Sequence, residues 1–439
     1  MIERIRILRK TGDNMKTGEW IKKIESGAVA DLVRLYGKDE AARQRYIAAI
    51  RAFEKQYGTD RDVSLFSVPG RSEILGNHTD HNHGCVIAGA IDRDIIAVAA
   101  RREDGEMHVL SEGYRESRIL LQECDDPKKY TPGRSDGLIA GTAAAFRRRG
   151  YAVGGFDAYT TTRVLKGSGL SSSAAFEVMV GTVLNHFYNR GDIPAQELAQ
   201  FAQYAENVYF GKPCGLMDQM ACAVGGFVFM DFGNPDEPKI DPISFSLTDA
   251  GYILAIVNTG GSHSDLTDEY ASVPAEMKKI AAYFGRDFLR GTTEEELLAN
   301  AASLRRAAGD RALLRAIHYV RENARVLSAA EALRSGRVRE FLAAVLASGR
   351  SSFEYLQNVY TTKNPAEQGL SLALAVTEGA LGGHDCAWRV HGGGFAGTIQ
   401  AFVRRELASA YAALMDSVFG KGACMLLSIR AEGAMRIHP

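Results

Sequence analysis

Residues Val164 to Glu177, V-L-K-G-S-G-L-S-S-S-A-A-F-E, constrain this chain more than any other stretch. A strand-like run precedes them, Phe156 to Val164, alternating through Ala158, Thr160 and Thr162, and an apolar-periodic helix follows through Val178, Val180, Val183 and Leu184. A strand that turns on glycines into a helix leaves several backbone N–H groups unpartnered at the positive end of the helix dipole. Such a turn suits a phosphate, so a nucleotide-holding α/β unit is expected here. The two commonest nucleotide motifs are absent. No G-x-x-x-x-G-K-[ST] occurs, and G-S-G-L-S-S lacks the third glycine of the dinucleotide fingerprint.

At 439 residues the chain is long for one compact core, so two domains are expected. Its net charge of -1 gives no electrostatic reason to expect nucleic acid or an anionic membrane, and a small metabolite fits better. Six cysteines are scattered without C-x-x-C spacing, which reads as reduced, mostly buried thiols. The N-terminal M-I-E-R-I-R-I-L-R-K alternates apolar and charged residues rather than forming the apolar core of a signal peptide. No run reaches the roughly 18 apolar residues of a membrane span. A soluble, cytoplasmic protein is expected, and nothing in the sequence fixes its oligomeric state.

Residues 1–58 read as a helical extension without chemistry, on the spacing of Trp20, Ile24, Leu32, Tyr46, Ile50 and Phe53. From Leu65 the character changes to F-S-V-P-G-R-S-E-I-L-G-N-H-T-D-H-N-H-G, then to an apolar run from Val86 to Ala99 that reads as a buried strand pair around Asp92-Arg93-Asp94. Arg71 and Asp80, a guanidinium and a carboxylate beside apolar strands, are candidates for a ligand or an ion pair. The spacing H-x-x-H-x-H of His78, His81 and His83 matches no zinc pattern. Ala195 to Phe210 has helical spacing and ends at Gly211-Lys212-Pro213. After it comes C-G-L-M-D-Q, where Asp218 among apolar neighbours needs a cation or strong donors, and Glu206 is a second carboxylate within reach. Gly225–Phe232 and Gly251–Val257 read as strands. The prolines between them place a domain boundary near residue 240, giving an N-terminal domain of 59–240 and a C-terminal domain of 241–439 that is mainly helical from Glu276 to Thr377. A last glycine cluster lies in W-R-V-H-G-G-G-F-A-G-T-I-Q-A-F, Trp388 to Phe402.

Each island is ambiguous alone, but together they resemble the three ordered motifs of the GHMP small-molecule kinases, and within these the galactokinases. P-G-R-S-E-I-L-G-N-H-T-D-H-N is similar to the galactokinase signature P-G-R-x-N-L-I-G-E-H-x-D-Y-N. G-S-G-L-S-S-S-A-A resembles the family's ATP-phosphate loop, and G-G-G-F-A-G its G-G-G-F-G-G. C-G-L-M-D-Q resembles C-G-I-M-D-Q, and Asn258-Thr259 to Tyr270 keeps the family's spacing from N-T to S-E-Y. The likeness spans roughly residues 50–439. It implies a two-domain α/β (α+β) GHMP kinase fold: an N-terminal ribosomal-protein-S5-like domain with a left-handed crossover, and a C-terminal ferredoxin-like domain with extra helices.

The resemblance also implies roles. Gly167, Ser168, Gly169, Leu170, Ser171, Ser172 and Ser173 would cradle the phosphates of ATP, and Ser173 with Glu206 would hold Mg²⁺ through hard oxygen ligands. Asp218 would accept or orient the sugar hydroxyl proton beside Arg71, and Asn77, His78, Asp80, Gly215 and Tyr270 would meet a small-molecule sugar. The implied activity is ATP-dependent phosphorylation of the anomeric hydroxyl of galactose or a C6-modified relative. The alternatives are a non-catalytic sugar-binding sensor and a GHMP kinase for a non-sugar alcohol. The chain departs from the family at Asn77, where galactokinases carry Glu, at His81 for Tyr, at Gly260-Gly261, in the missing basic run after Tyr270, and at Ala396 for Gly. Asn77 is the departure expected to admit a changed substituent at carbon 6.

Overall fold

The computed structural model describes residues 15–164, 169–235, 237–261 and 266–439. It begins with a short strand β1 (Met15–Lys16) and three helices, α1 (Thr17–Glu25), α2 (Ala30–Tyr36) and α3 (Glu40–Tyr57). Asp39 caps α3 by accepting a hydrogen bond from the Ala41 amide. Two long strands follow, β2 (Asp62–Leu75) and β3 (Cys85–Arg102), joined by the turn that carries the first motif.

These strands are buried along nearly their whole length because both of their faces are covered. Val63, Leu65, Ile96 and Val98 pack on Trp20, Ile24, Tyr46 and Phe53 of the N-terminal helices. Their alternate neighbours Phe66, Val68, Ala97 and Ala99 point into the opposite core. The helices between Thr17 and Tyr57 are therefore one layer over the sheet.

The expected strand pair within residues 86–99 is instead the single strand β3. Between Pro69–Asp94 and Arg71–Ala90 the register slips, so that two steps along β2 span four along β3, and Asp92-Arg93-Asp94 forms a bulge rather than a hairpin turn. The charges tolerate this place because their partners come from elsewhere in the chain. Buried Asp94 accepts from Arg45 at 2.6 Å, Ser67 at 2.5 Å and Arg430 at 3.4 Å, and from the Tyr36 hydroxyl. These bonds tie the N-terminal helices, the sheet and the C-terminal segment to one carboxylate.

The sheet continues with β4 (Glu106–Ser111), β5 (Ser117–Leu120) and β6 (Gly155–Thr162). Among the described residues β4 and β6 are its one parallel pair, connected through β5 and helix α4 (Ser135–Arg148). Helices α5 (Ser172–Tyr188), α6 (Ala195–Tyr204) and α7 (Met217–Val224) cover the second face, and α6 runs on as a π-turn, Ala205–Phe210. β7 (Phe227–Asp231) joins β3, and β8 (Lys239–Ile243) joins β7. The proline-rich crossing thus carries an edge strand of the first sheet, where Pro242 costs no ladder hydrogen bond that a central strand would need.

The second sheet has the order β10-β11-β9-β12, all antiparallel: β9 (Tyr252–Asn258), β10 (Ala387–His391), β11 (Thr398–Arg404) and β12 (Cys424–Leu427). Between β9 and β10 lie α8 (Thr267–Tyr283), α9 (Glu294–Ala299), α10 (Ala301–Ala308), α11 (Asp310–Arg334), α12 (Val338–Ser351) and α13 (Gly369–Leu381). Helix α14 (Arg405–Phe419) links β11 to β12, completing the β-α-β-β-α-β order of a ferredoxin-like unit. A last strand, β13 (Met435–Ile437), returns to β2 of the first sheet. Leu254 and Ile256 of β9 share a core with Ile74, Leu75, Ile87, Val164 and Leu170, so apolar packing joins the two sheets directly. No helix among the described residues is long and apolar enough to cross a membrane.

Candidate active site

The site lies where three segments meet: the end of β2 with its following turn, the loop leading into α5, and the start of α7. Gly70 explains the first contact. A Cβ there would lie 2.7 Å from the Leu170 carbonyl oxygen, so only glycine lets the loop rest on β2. The Arg71 amide then donates to the Leu170 carbonyl at 3.1 Å, and its guanidinium donates to the Gly169 carbonyl. With Leu170 buried in the core that joins the two sheets, these bonds turn the loop's carbonyls toward Arg71.

Ser171, at φ 58° and ψ 58°, is the N-cap of α5, a left-handed conformation uncommon for serine. The first helical bond of α5 is from the Ala175 amide to the Ser171 carbonyl at 3.1 Å. By helix geometry the amides of Ser172, Ser173 and Ala174 have no partner within the helix. Gly167 and Ser168 of the same loop lie outside the described residues.

Arg71 and Asp218 form a two-pronged ion pair, Nε to Oδ1 and Nη2 to Oδ2, each at 2.7 Å. The Ser171 hydroxyl donates to Asp218 Oδ2 at 2.5 Å. Burial by itself raises the pKa of Asp218, but the charge and hydrogen bonds of Arg71 and the Ser171 hydroxyl outweigh it and hold the carboxyl below its ordinary value. Asp218 is therefore an ionised acceptor at neutral pH, and 30 % of its side-chain surface remains open.

A second cluster adjoins the start of α5. Glu206, on the π-turn, takes the Ser173 hydroxyl at 3.5 Å and the Lys212 ammonium at 3.0 Å on Oε1, and the Gln219 amide at 2.7 Å on Oε2. Gln219 also donates to Glu177 at 3.2 Å. Burial first, and Glu206 second, push Glu177 well above the ordinary carboxyl range, and its Oε1 has no hydrogen-bond partner. The Glu206 carboxylate, already drawing a cation, and the Ser173 hydroxyl that donates to it form a hard-oxygen donor set that fits Mg²⁺. Among the described residues no group of three or more His, Cys, Asp or Glu is placed to hold a metal, so the remaining ligands would be water, with phosphate replacing some of it once nucleotide is bound.

On the other side of Asp218, Asp80 approaches Gly215 so closely that a Cβ there would lie 2.8 Å from Asp80 Oδ2. Burial raises the pKa of Asp80, and His78 opposes it. His78 Nε2 meets the Gly393 carbonyl at 3.0 Å, and the Tyr270 hydroxyl donates to the Gly394 carbonyl at 2.8 Å. The first and third motifs thereby close over one region. His83 stacks on Phe288 instead, with ring centroids 3.7 Å apart.

Asn77 departs from expectation. It is fully buried, and its amide nitrogen donates to Glu73 at 3.0 Å and the Gly392 carbonyl at 2.7 Å. Its oxygen accepts from Asn358 at 2.8 Å and Ser352 at 3.3 Å. Its two donor and two acceptor positions are thus filled from within the protein, leaving nothing to offer a ligand. Glu73 is in turn paired with buried Arg389 at 3.1 Å. The galactokinase signature carries Asn and Glu at these two positions, so here they stand exchanged, and the charge sits at residue 73 instead of 77.

Other members of the site were also overlooked. Glu177, Lys212, Gln219, Arg389 and His391 all fall inside or beside the recognised motifs, but only the tertiary contacts single them out. Buried His391 links the first motif to the third through Ser72 at 3.1 Å and Thr398 at 2.8 Å, below Gly169.

Comparison with known proteins agrees with this arrangement. Residues 137–226 match the family model of the GHMP kinases N terminal domain, and residues 51–101 match the galactokinase galactose-binding signature. The chain is 31% identical over 396 residues to the galactokinase of Streptomyces coelicolor, covering 88% of this chain and 97% of that protein. It is 31% identical over 407 residues to the galactokinase of Homo sapiens, with coverage of 90% and 98%. The crystal structure of Lactococcus lactis galactokinase complexed with galactose superposes with a TM-score of 0.74 at 25% identity, covering 88% of this chain and 98% of that one. The mevalonate kinase of Methanococcus jannaschii, at 13% identity and a TM-score of 0.58 with coverage of 84% and 98%, shares the fold. The chain belongs to the galactokinase family of the GHMP kinases, enzymes that transfer a phosphoryl group from ATP to a hydroxyl of a small molecule.

Proposed function

We propose that the protein phosphorylates the anomeric hydroxyl of galactose or a close relative, with ATP and Mg²⁺. The observation that carries this reading is the Arg71–Asp218 pair, tied by Ser171 to the N-terminus of α5. It sets an ionised acceptor beside an anion site, as transfer of a phosphoryl group to a hydroxyl requires.

In this reading the glycine-serine loop, Gly167 to Ser173, receives the ATP phosphates on its amides and the positive end of the α5 dipole. Ser173 and Glu206 hold Mg²⁺, which would neutralise charge on the phosphates when bound. Asp218 takes or orients the proton of the attacking hydroxyl, and Arg71 keeps Asp218 ionised while offsetting charge on the group in flight. Phosphoryl transfer draws mostly on such positioning and electrostatics. Asp80, Gly215, His78 and Tyr270 line the sugar side. Asn77 is left out of that set because its hydrogen bonds are spent. The two catalytic domains divide after β8, with residues 15–58 as a layer of the first.

A sensor without activity is disfavoured because Arg71, Ser173, Glu206 and Asp218 are all present and mutually placed. A non-sugar alcohol is disfavoured because the mevalonate kinase of Methanococcus jannaschii shares only the fold, at 13% identity, whereas the galactose-binding signature matches directly. The test is a panel of hexoses and uronic acids with ATP and Mg²⁺, following ADP release and the phosphorus resonance of the sugar 1-phosphate. Galactose-configured sugars should lead, and uniformly negligible turnover on every sugar would sink the proposal.

A further inference from the structure

Lys212 lies in the turn after the π-turn of α6, where Gly211 at φ 78° redirects the chain and the Lys212 amide donates to the Glu206 carbonyl at 3.2 Å. That bond fixes the backbone, and the side chain folds back so that its ammonium reaches Glu206 Oε1 at 3.0 Å. The Ser173 hydroxyl reaches the same oxygen. The two ends of the ion pair differ sharply in exposure, 63% for the Lys212 side chain against 3% for Glu206. The buried carboxylate has few other ways to be neutralised, since its second oxygen is taken by a neutral amide shared with Glu177. The arm that neutralises it is exposed and can leave at small cost.

We propose that Lys212 is an internal placeholder cation: it occupies the metal position of the free enzyme, competes with a divalent ion for Glu206 Oε1, and yields when that ion arrives. The inference rests on the reading of Ser173 and Glu206 as metal ligands. A single ammonium offers half the charge of a divalent ion and makes one contact with the carboxylate, so exchange favours the metal while Glu206 never stands uncompensated. Lys212 therefore sets how much divalent ion is needed to load the site.

The experiment measures Mn²⁺ binding to nucleotide-free enzyme at pH 8 by electron paramagnetic resonance, which needs no turnover. Lys212→Met and Lys212→Gln should each bind Mn²⁺ at least about threefold tighter than the wild type, the scale of a largely exposed ion pair. Glu206→Gln should lose this binding, and Lys212→Met should then change nothing in its background. Wild-type affinity in both lysine variants, or no Mn²⁺ binding in either, overturns the placeholder. Tightening of equal size in the Glu206→Gln background overturns it as well, because net charge alone would then suffice. Unchanged binding in Glu206→Gln overturns instead the metal reading beneath it.

Discussion

Asp218→Asn separates the two parts the carboxylate is proposed to play. Asp218 accepts three hydrogen bonds, two from Arg71 at 2.7 Å and one from Ser171 at 2.5 Å. Asparagine keeps one acceptor oxygen and presents an NH₂ group where Asp218 offers the other, so at least one donor faces a donor and Arg71 loses its counter-charge. Hydrogen bonds to charged groups contribute about 1.5–3 kcal/mol each, and breaking a buried pair costs about 3–5 kcal/mol. With part of Asp218 open to the cleft, the expected loss is about 2–4 kcal/mol, read by urea denaturation. If Asp218 also takes or orients the hydroxyl proton, kcat should fall about 10²–10⁴-fold, with the KM for ATP little changed. The Arg71→Met/Asp218→Asn double variant should lose less stability than the sum of the single variants, because the second change removes a charge already left unpaired. Additive losses would refute the ion-pair argument, and an unchanged kcat in Asp218→Asn would remove the residue from the chemistry.

Asn77→Glu should destabilise the protein by about 3–5 kcal/mol, since it sets a second carboxylate against Glu73 and the Gly392 carbonyl inside a filled network. Adding Glu73→Asn restores the family's arrangement and should recover much of that loss in the same denaturation assay; no recovery would show that the two positions do not compensate. Gly215→Ala places a Cβ against Asp80 Oδ2, so it should raise the sugar KM about tenfold, equivalent to about 1.4 kcal/mol, with little change in melting temperature. An unchanged sugar KM would take Asp80 out of the sugar site. Burial pushes His318 down to about 4 and His391 down to about 3, while an unfolded histidine titrates near 6.5. Burial likewise pushes His81 down to about 3, so the unfolded chain binds more protons below pH 6.5, and stability should fall by about 3–4 kcal/mol per pH unit between roughly 6 and 4 from these three groups. His391→Gln should remove about a third of that slope, and a flat profile in the wild type would contradict the burial argument.

Much of this protein is local in origin and could be read along the chain. The strand, glycine turn and helix around residues 156–188 follow from period and turn chemistry that neighbouring residues supply, and the C-terminal helices follow in the same way. The order of the motifs was enough to identify the family and to nominate Arg71, Asp218, Ser173 and Glu206, all of which the fold brings together. What misled the sequence reading was charge whose partner is far away. Asp92-Arg93-Asp94 resembles a turn until Arg45 and Arg430 are seen to neutralise Asp94. Asn77 resembles a ligand contact until Glu73, Asn358 and Gly392 are seen to use up its hydrogen bonds. The sequence by itself determined which backbone could turn, pair and coil, because those preferences act between near neighbours. Only the tertiary structure decided which polar groups remain free for chemistry, because a buried group's partners are set by the packing of distant segments.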